Sequence, residues 1–65
     1  MSIGANIRRI REEHNMTQVE LAEIAGTSQP YLNRIEMGKQ IPSAKVIVAA
    51  ANAFGCSTDE LLKEE

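Results

Sequence analysis

The sequence is poor in residues that stabilise small proteins through covalent or metal cross-links. It contains one cysteine, Cys56, and one histidine, His14. A disulfide within the chain is therefore excluded, and the roughly four ligands of a structural zinc site are not available. Aromatic residues make up only 3% of the 65 residues. A domain this small buries little surface, so it depends on aliphatic helix packing or on a partner subunit.

Long apolar segments are also missing. No run approaches the roughly 20 residues that a membrane-spanning helix requires, and Arg8 and Arg9 are not followed by the apolar core of a signal peptide. With a single thiol, these features predict a cytoplasmic protein with no membrane association. There is no nucleophile–base pair, metal-ligand set or glycine-rich phosphate loop. We therefore expect no catalytic residues, no metal, no cofactor and no small-molecule ligand.

The charge is unevenly distributed along the chain. The net charge of −2 at first argues against nucleic acid as a partner. However, residues 1–45 carry six basic and five acidic residues, whereas residues 46–65 carry one basic and four acidic residues. An acidic tail on the far side of the domain would leave the first 45 residues free to meet DNA.

Helical periodicity and capping residues recur through the whole chain, and no strand pattern is present. Residues 3–14 have apolar residues at helical spacing. Four further helices are predicted from N-caps at Thr17, Ser28, Ser43 and Ser57, with capping boxes at the first and last of these. The helix ends are predicted at Asn15, Gly26, Gly38 and Gly55. The pattern indicates an all-α, compact five-helix bundle forming one domain over residues 1–65.

The same periodicity predicts which side chains form the core. The uncharged stretch from Val46 to Cys56 is apolar nearly all round, so we expect it to face the core on one side and a second copy of the chain on the other. Ile24, Val46 and Val48 are either ordinary exposed residues or part of such a dimer patch. The predicted core residues are Leu21, Leu32, Ile35, Ile47 and Phe54.

Residues 18–37 form the unit that predicts function. Two short helices are joined by a tight turn at Gly26, where a positive φ is needed. The small side chain of Ala22 allows the second helix to cross the first closely. This is the pattern of a helix-turn-helix, in which one helix braces and the next, here about residues 28–38, enters the major groove of DNA.

Short segments across the chain carry a resemblance to a known family. They are Met16-Thr17-Gln18, Leu21-Ala22-Glu23, Gly26-Thr27-Ser28, Tyr31-Leu32, Arg34-Ile35-Glu36, Gly38-Lys39, Pro42-Ser43, Phe54-Gly55 and Asp59-Glu60-Leu61-Leu62. With these segments the chain resembles the phage-repressor and Cro-like (XRE) helix-turn-helix family. The resemblance implies a lambda-repressor-like fold and a transcriptional regulator, usually a repressor. It also implies a homodimer on a near-palindromic double-stranded operator.

The resemblance also implies roles for individual residues. Gln29 and Arg34 are the best candidates for reading bases, since Gln pairs with adenine and Arg with guanine. Arg11 and Glu36 are expected to form a partly buried ion pair that positions the reading helix. The further candidates are Tyr31 and Asn33 for bases, and Thr17, Gln18, Arg8, Lys39 and Gln40 for phosphates.

A second functional class remains open at this point. The acidic tail and the apolar fourth helix also suit a protein that binds another protein, such as an antitoxin or an anti-repressor with the same fold. Fold alone does not determine function. The two interpretations are compatible, since a protein of this kind can also bind DNA.

Overall fold

The computed structural model describes residues 3–63. Within this range five α-helices follow one another without any strand, which confirms the predicted all-α five-helix bundle. Their bounds are α1 Ile3–Glu13, α2 Gln18–Ala25, α3 Gln29–Glu36, α4 Ala44–Phe54 and α5 Thr58–Leu62. Helix α1 therefore ends one residue before the predicted end at His14. None of the described helices has the length and hydropathy needed to span a bilayer.

The predicted caps define the starts of helices α2, α3 and α4. Thr17 forms the complete capping box with Glu20, with bonds of 3.1 and 2.8 Å in the two directions. Ser28 and Ser43 accept the amides of Tyr31 and Val46. These bonds satisfy donors that have no partner within the helix, so each helix starts at a defined residue.

The capping box predicted for α5 is wrong. Ser57 takes the extended N-cap conformation, but its side chain makes no capping hydrogen bond. Helix α5 is only one turn long and is secured by packing. Leu61 is fully buried, and the Asn6 side chain of α1 donates to the carbonyl groups of Leu61 and Lys63.

The core lies between all five helices and is almost entirely aliphatic. Two predictions about α4 need correction: Val46 is buried, with 4% exposure, whereas Ile47 is only partly buried. The buried side of α4 thus extends to Val46, while Phe54 is buried as predicted and Ile47 packs against the edge of the core. The buried hydrophobic residues are Ile7, Ile10, Leu21, Ala22, Ala25, Leu32, Ile35, Val46, Ala50, Ala51, Phe54 and Leu61.

Helix α1 crosses the end of α3 at very short range. Gly4 lies directly against the backbone of Ile35, and a Cβ at this position would overlap the Ile35 carbonyl oxygen. Because glycine has no side chain, the two backbones can touch here. This contact fixes how α3 sits on the rest of the domain.

Candidate nucleic-acid interface

Helix α3 has one buried and one outward side. Leu32, Ile35 and Glu36 are buried. Residues on the opposite side recur at i and i+4 spacing, which places them in one stripe along the helix. This outward stripe consists of Gln29, Pro30, Asn33, Arg34 and Met37, of which only Asn33 is partly buried.

The turn before α3 sets the direction of that stripe. Gly26 ends α2 in the left-handed conformation, with φ 69°, and the amide of Thr27 donates to the Ala22 carbonyl. Only glycine adopts this conformation at little cost. The chain then enters α3 through the Ser28 cap, with Pro30 in the first turn, where a missing amide hydrogen has no consequence.

A buried ion pair anchors α3 to α1. Arg11 Nε donates to Glu36 Oε2 at 2.7 Å, and Arg11 Nη2 donates to Glu36 Oε1 at 3.0 Å. Arg11 Nη1 also donates to the Met16 carbonyl at 2.6 Å. The hydrogen bond to Glu36 raises the pKa of Arg11 above its usual value, although burial acts in the opposite direction. The predicted Arg11–Glu36 pair is therefore present.

A chain of amide hydrogen bonds extends from this pair to the outward stripe. Gln18 Nε2 donates to Glu36 Oε1 at 3.0 Å and to Asn33 Oδ1 at 3.1 Å. Gln29 Nε2 donates to Gln18 Oε1 at 2.7 Å. We refer to these four residues, Glu36, Gln18, Asn33 and Gln29, as the amide relay. It holds two outward side chains of α3 against the start of α2.

The positive side chains near α3 differ from those of α1 in their pairing. Arg8 pairs with Glu12 and Arg9 with Glu13 on the surface of α1. Arg34, Lys39 and Lys45 form no ion pair with any residue in the described range 3–63. These three cations are therefore available to an anionic partner of the exposed α3 face.

Comparison with known proteins agrees with this geometry. The sequence profile of the helix-turn-helix family matches residues 7–61. The chain belongs to the helix-turn-helix family. It is 40% identical over 65 residues to the immunity repressor protein of Bacillus phage phi105, covering all of this chain but 45% of that protein. The chain thus spans less than half of that relative's length.

Solved structures of helix-turn-helix proteins have the same fold. The P22 c2 repressor in complex with a synthetic operator superposes with a TM-score of 0.89 at 28% identity, covering 100% of this chain and 98% of that one. SinR, a master regulator for biofilm formation, in complex with DNA, superposes with a TM-score of 0.85 at 34% identity. The coverage is 94% of this chain and 98% of SinR.

The helix-turn-helix geometry brings together most of the residues expected to bind DNA. Gln29 and Arg34 are exposed on α3, and Gln18 begins α2 beside them. Tyr31 is half-buried against the core at the edge of the stripe, with its ring 6.0 Å from the Arg34 guanidinium carbon. Thr17 caps α2. Their contacts with DNA remain predictions.

The remaining expected phosphate ligands lie in two places. Lys39 and Gln40 are exposed in the turn that follows α3, where the Lys39 amide donates to the Arg34 carbonyl. Arg8 lies on α1, and its side chain bonds Glu12 rather than any residue of α2 or α3. The structure therefore groups Lys39 and Gln40 with α3 but gives Arg8 no such connection.

Sequence reasoning missed two features of the site. The Lys45 ammonium lies beside Gly26, 3.7 Å from where a Cβ would be, so it is a further candidate for a phosphate contact. The amide relay was also not foreseen. Its hydrogen bonds join side chains that are separated by between 11 and 18 positions in the sequence. The sequence contains no local signal for contacts of this kind.

Proposed function

We propose that this helix-turn-helix chain binds double-stranded DNA sequence-specifically and regulates transcription, most simply as a repressor. The observation that carries this proposal is the exposure of Gln29 and Arg34 on a helix face that no other part of residues 3–63 covers. A buried position for either side chain would have removed the base-reading surface. Placing α3 in the major groove brings both residues to the base edges.

The start of α2 would then lie at the DNA backbone. Amides in the first turn of a helix have no partner within it, and the helix dipole favours an anion there. We assign phosphate contacts to Gln18 and Thr17 at this end. Lys39, Gln40 and Lys45 would add contacts on the other side of α3, whereas Arg8, paired with Glu12, would contribute less.

The same proposal covers the setting in which the protein works. We propose one domain over residues 1–65 acting in the cytoplasm, with no catalytic activity of its own, because binding and release of an operator require none. Operator occupancy would then depend on protein concentration and on partners.

We further propose that the active species is a twofold homodimer. A single α3 reads only a few base pairs, and a twofold dimer would place two such helices about 34 Å apart, one turn of DNA. Val48 of α4 and Leu62 of α5 are 49% and 53% exposed. Lys45 is the only charged residue in α4. A second copy covering Val48 and Leu62 would remove this apolar surface from water.

Selection of bound fragments from random duplex DNA tests the function directly. We expect enrichment of one short motif repeated with twofold symmetry at a spacing of about 10 base pairs. The affinity for this motif should fall steeply with salt, since phosphate contacts release counterions. Recovery of fragments without any common motif would contradict sequence-specific binding.

Sedimentation tests the dimer separately. Replacing Val48 with Asp should lower the dimer fraction in the presence and absence of operator. The matched control is Ile24→Asp, because Ile24 is exposed to a similar extent, 54%, but lies on α2. Equal sedimentation of the wild type and the Val48 variant as dimers would exclude this interface.

A further inference from the structure

The amide relay has a fixed hydrogen-bond direction because of the chemistry at its buried end. An arginine side chain only donates hydrogen bonds, and a carboxylate only accepts them. Glu36 accepts hydrogen bonds from Arg11 Nε and Nη2, and its side chain is only 2% exposed. Gln18 must therefore turn its NH2 group toward Glu36, since its oxygen would face another acceptor.

This orientation determines what the next two side chains present. The Gln18 NH2 group also reaches Asn33, so Asn33 must offer its oxygen inward. The Gln18 oxygen points to Gln29, so Gln29 must donate to it. Asn33 consequently presents its NH2 group outward, where one hydrogen meets only the weak acceptor Met37 Sδ at 3.4 Å. The outward side of Gln29 retains a free oxygen and a second hydrogen.

We propose that Glu36, held by Arg11 and acting through Gln18, makes Asn33 a hydrogen-bond donor in the major groove, so that it meets a base acceptor and disfavours cytosine, which presents only a donor there. This inference rests on the proposed function. Glu36 is a positioning residue here, since it is buried and does not touch the base. Asn33 is the residue that determines specificity.

The base edges explain the direction of this preference. In the major groove guanine presents two acceptors, N7 and O6, thymine presents the acceptor O4, and adenine presents the acceptor N7 beside its donor N6. Cytosine presents the donor N4, which would face the NH2 group of Asn33 without any acceptor between them. A free asparagine could rotate its amide by 180° and accept from cytosine. The relay prevents this rotation because it would place the Asn33 NH2 group against the Gln18 NH2 group, or require Gln18 to rotate and turn its oxygen toward the Glu36 carboxylate.

The first experiment locates the base and measures its preference. Fragment selection with Asn33→Ala identifies the position at which enrichment is lost. At that position we expect the wild type to bind guanine or thymine about tenfold more tightly than cytosine. Asn33→Asp should reverse this ratio, because a carboxylate accepts from cytosine N4. The matched control, Lys39→Ala, should weaken binding to all of these duplexes alike.

The second experiment tests the relay rather than Asn33 itself. Gln18→Met removes the connection without changing the buried ion pair, and Glu36→Gln, which offers only one oxygen to the two Arg11 donors, removes the second acceptor that fixes Gln18. In both variants we expect the affinity for the guanine duplex to exceed that for the cytosine duplex by less than about threefold. The base preference at the Arg34 position should be retained. A purely structural role would lower affinity for every duplex and leave this ratio unchanged. Thermal unfolding of each variant establishes that it is folded.

The results separate the inference from the function on which it rests. A wild-type preference for cytosine, or an unchanged ratio in folded Gln18→Met and Glu36→Gln, would overturn the inference while DNA binding stands. No enrichment at any position would overturn the proposed function instead. In that case NMR of the free protein still tests the relay, which requires slowed exchange of the Gln18 NH2 hydrogens and contacts between them and Asn33.

Discussion

Arg11 and Glu36 join the first helix to the end of the third through two parallel hydrogen bonds, with side chains that are 10% and 2% exposed. Removing two charges from water costs several kcal/mol, which their attraction and hydrogen bonds offset only when the geometry is good. Here every described buried polar side-chain atom has a partner. The pair therefore orients α3 more than it adds to the free energy of unfolding.

Breaking this ion pair from one side should be costly. Arg11→Met leaves the Glu36 carboxylate buried without its partner, and we expect a loss of about 3–5 kcal/mol in the free energy of unfolding. The double variant Arg11→Met with Glu36→Leu should lose less than Arg11→Met alone, because no buried charge remains unpaired. Urea unfolding of the two single variants and the double variant measures this coupling. Additive losses would show that the two residues do not interact.

Gly4 is expected to be the most sensitive glycine of the chain. Gly4→Ala places a methyl group on the Ile35 carbonyl oxygen, so α1 and α3 must separate. We expect a loss of about 3 kcal/mol, which lowers the melting temperature by more than about 10 °C in a domain of this size. Weaker operator binding should accompany this loss, because α3 moves.

Gly38→Ala is the matched control for this prediction. Gly38 has a φ of 78°, a backbone conformation that would be strained for any other residue, but a Cβ there would meet no atom within 4 Å. Its replacement should cost only about 1 kcal/mol. Equal melting temperatures for the two variants would mean that the close approach at Gly4 does not limit stability.

Local sequence signals predicted the helices well, and contacts between distant residues account for what they did not predict. Thr17, Ser28 and Ser43 act within three residues of themselves, so their caps were readable. The Gly4–Ile35 contact joins positions far apart in the sequence, so the sequence contains no sign of it. The N-cap position of Ser57 was correct, but its predicted capping box was wrong because a serine can also occupy an N-cap without a side-chain hydrogen bond.

The register of α4 illustrates a different limit. A helical face is recognised from the alternation of apolar and polar residues, and Lys45 is the only charged residue in α4. Because Asn52 is the only other polar residue in α4, the pattern does not distinguish Val46 from Ile47 as the core position. For the DNA site, the outward residues of α3 were predictable from their spacing, whereas the amide relay was not.

Two valines of α4 give a direct test of the buried position of Val46. Val46 is 4% exposed and Val48 is 49% exposed. Val46→Ala should therefore lower the free energy of unfolding by about 2 kcal/mol, since it removes buried methyl groups and leaves a cavity. Val48→Ala should change it by less than about 0.5 kcal/mol in the monomer. Equally small losses for the two variants in thermal or urea unfolding would return Val46 to the exposed position considered from the sequence.

Arg34 and Lys39 should affect DNA binding in different ways. Arg34 lies in the middle of the outward stripe, so Arg34→Ala should remove about 1–3 kcal/mol of discrimination at one base position. Lys39 lies in the turn after α3, and Lys39→Ala should weaken all sequences alike and reduce the slope of log affinity against log salt by about 1. Titrations of the selected operator and its single-base variants at several salt concentrations measure both effects. A base-specific loss for Lys39 together with a uniform loss for Arg34 would mean that α3 lies in the groove in a different orientation.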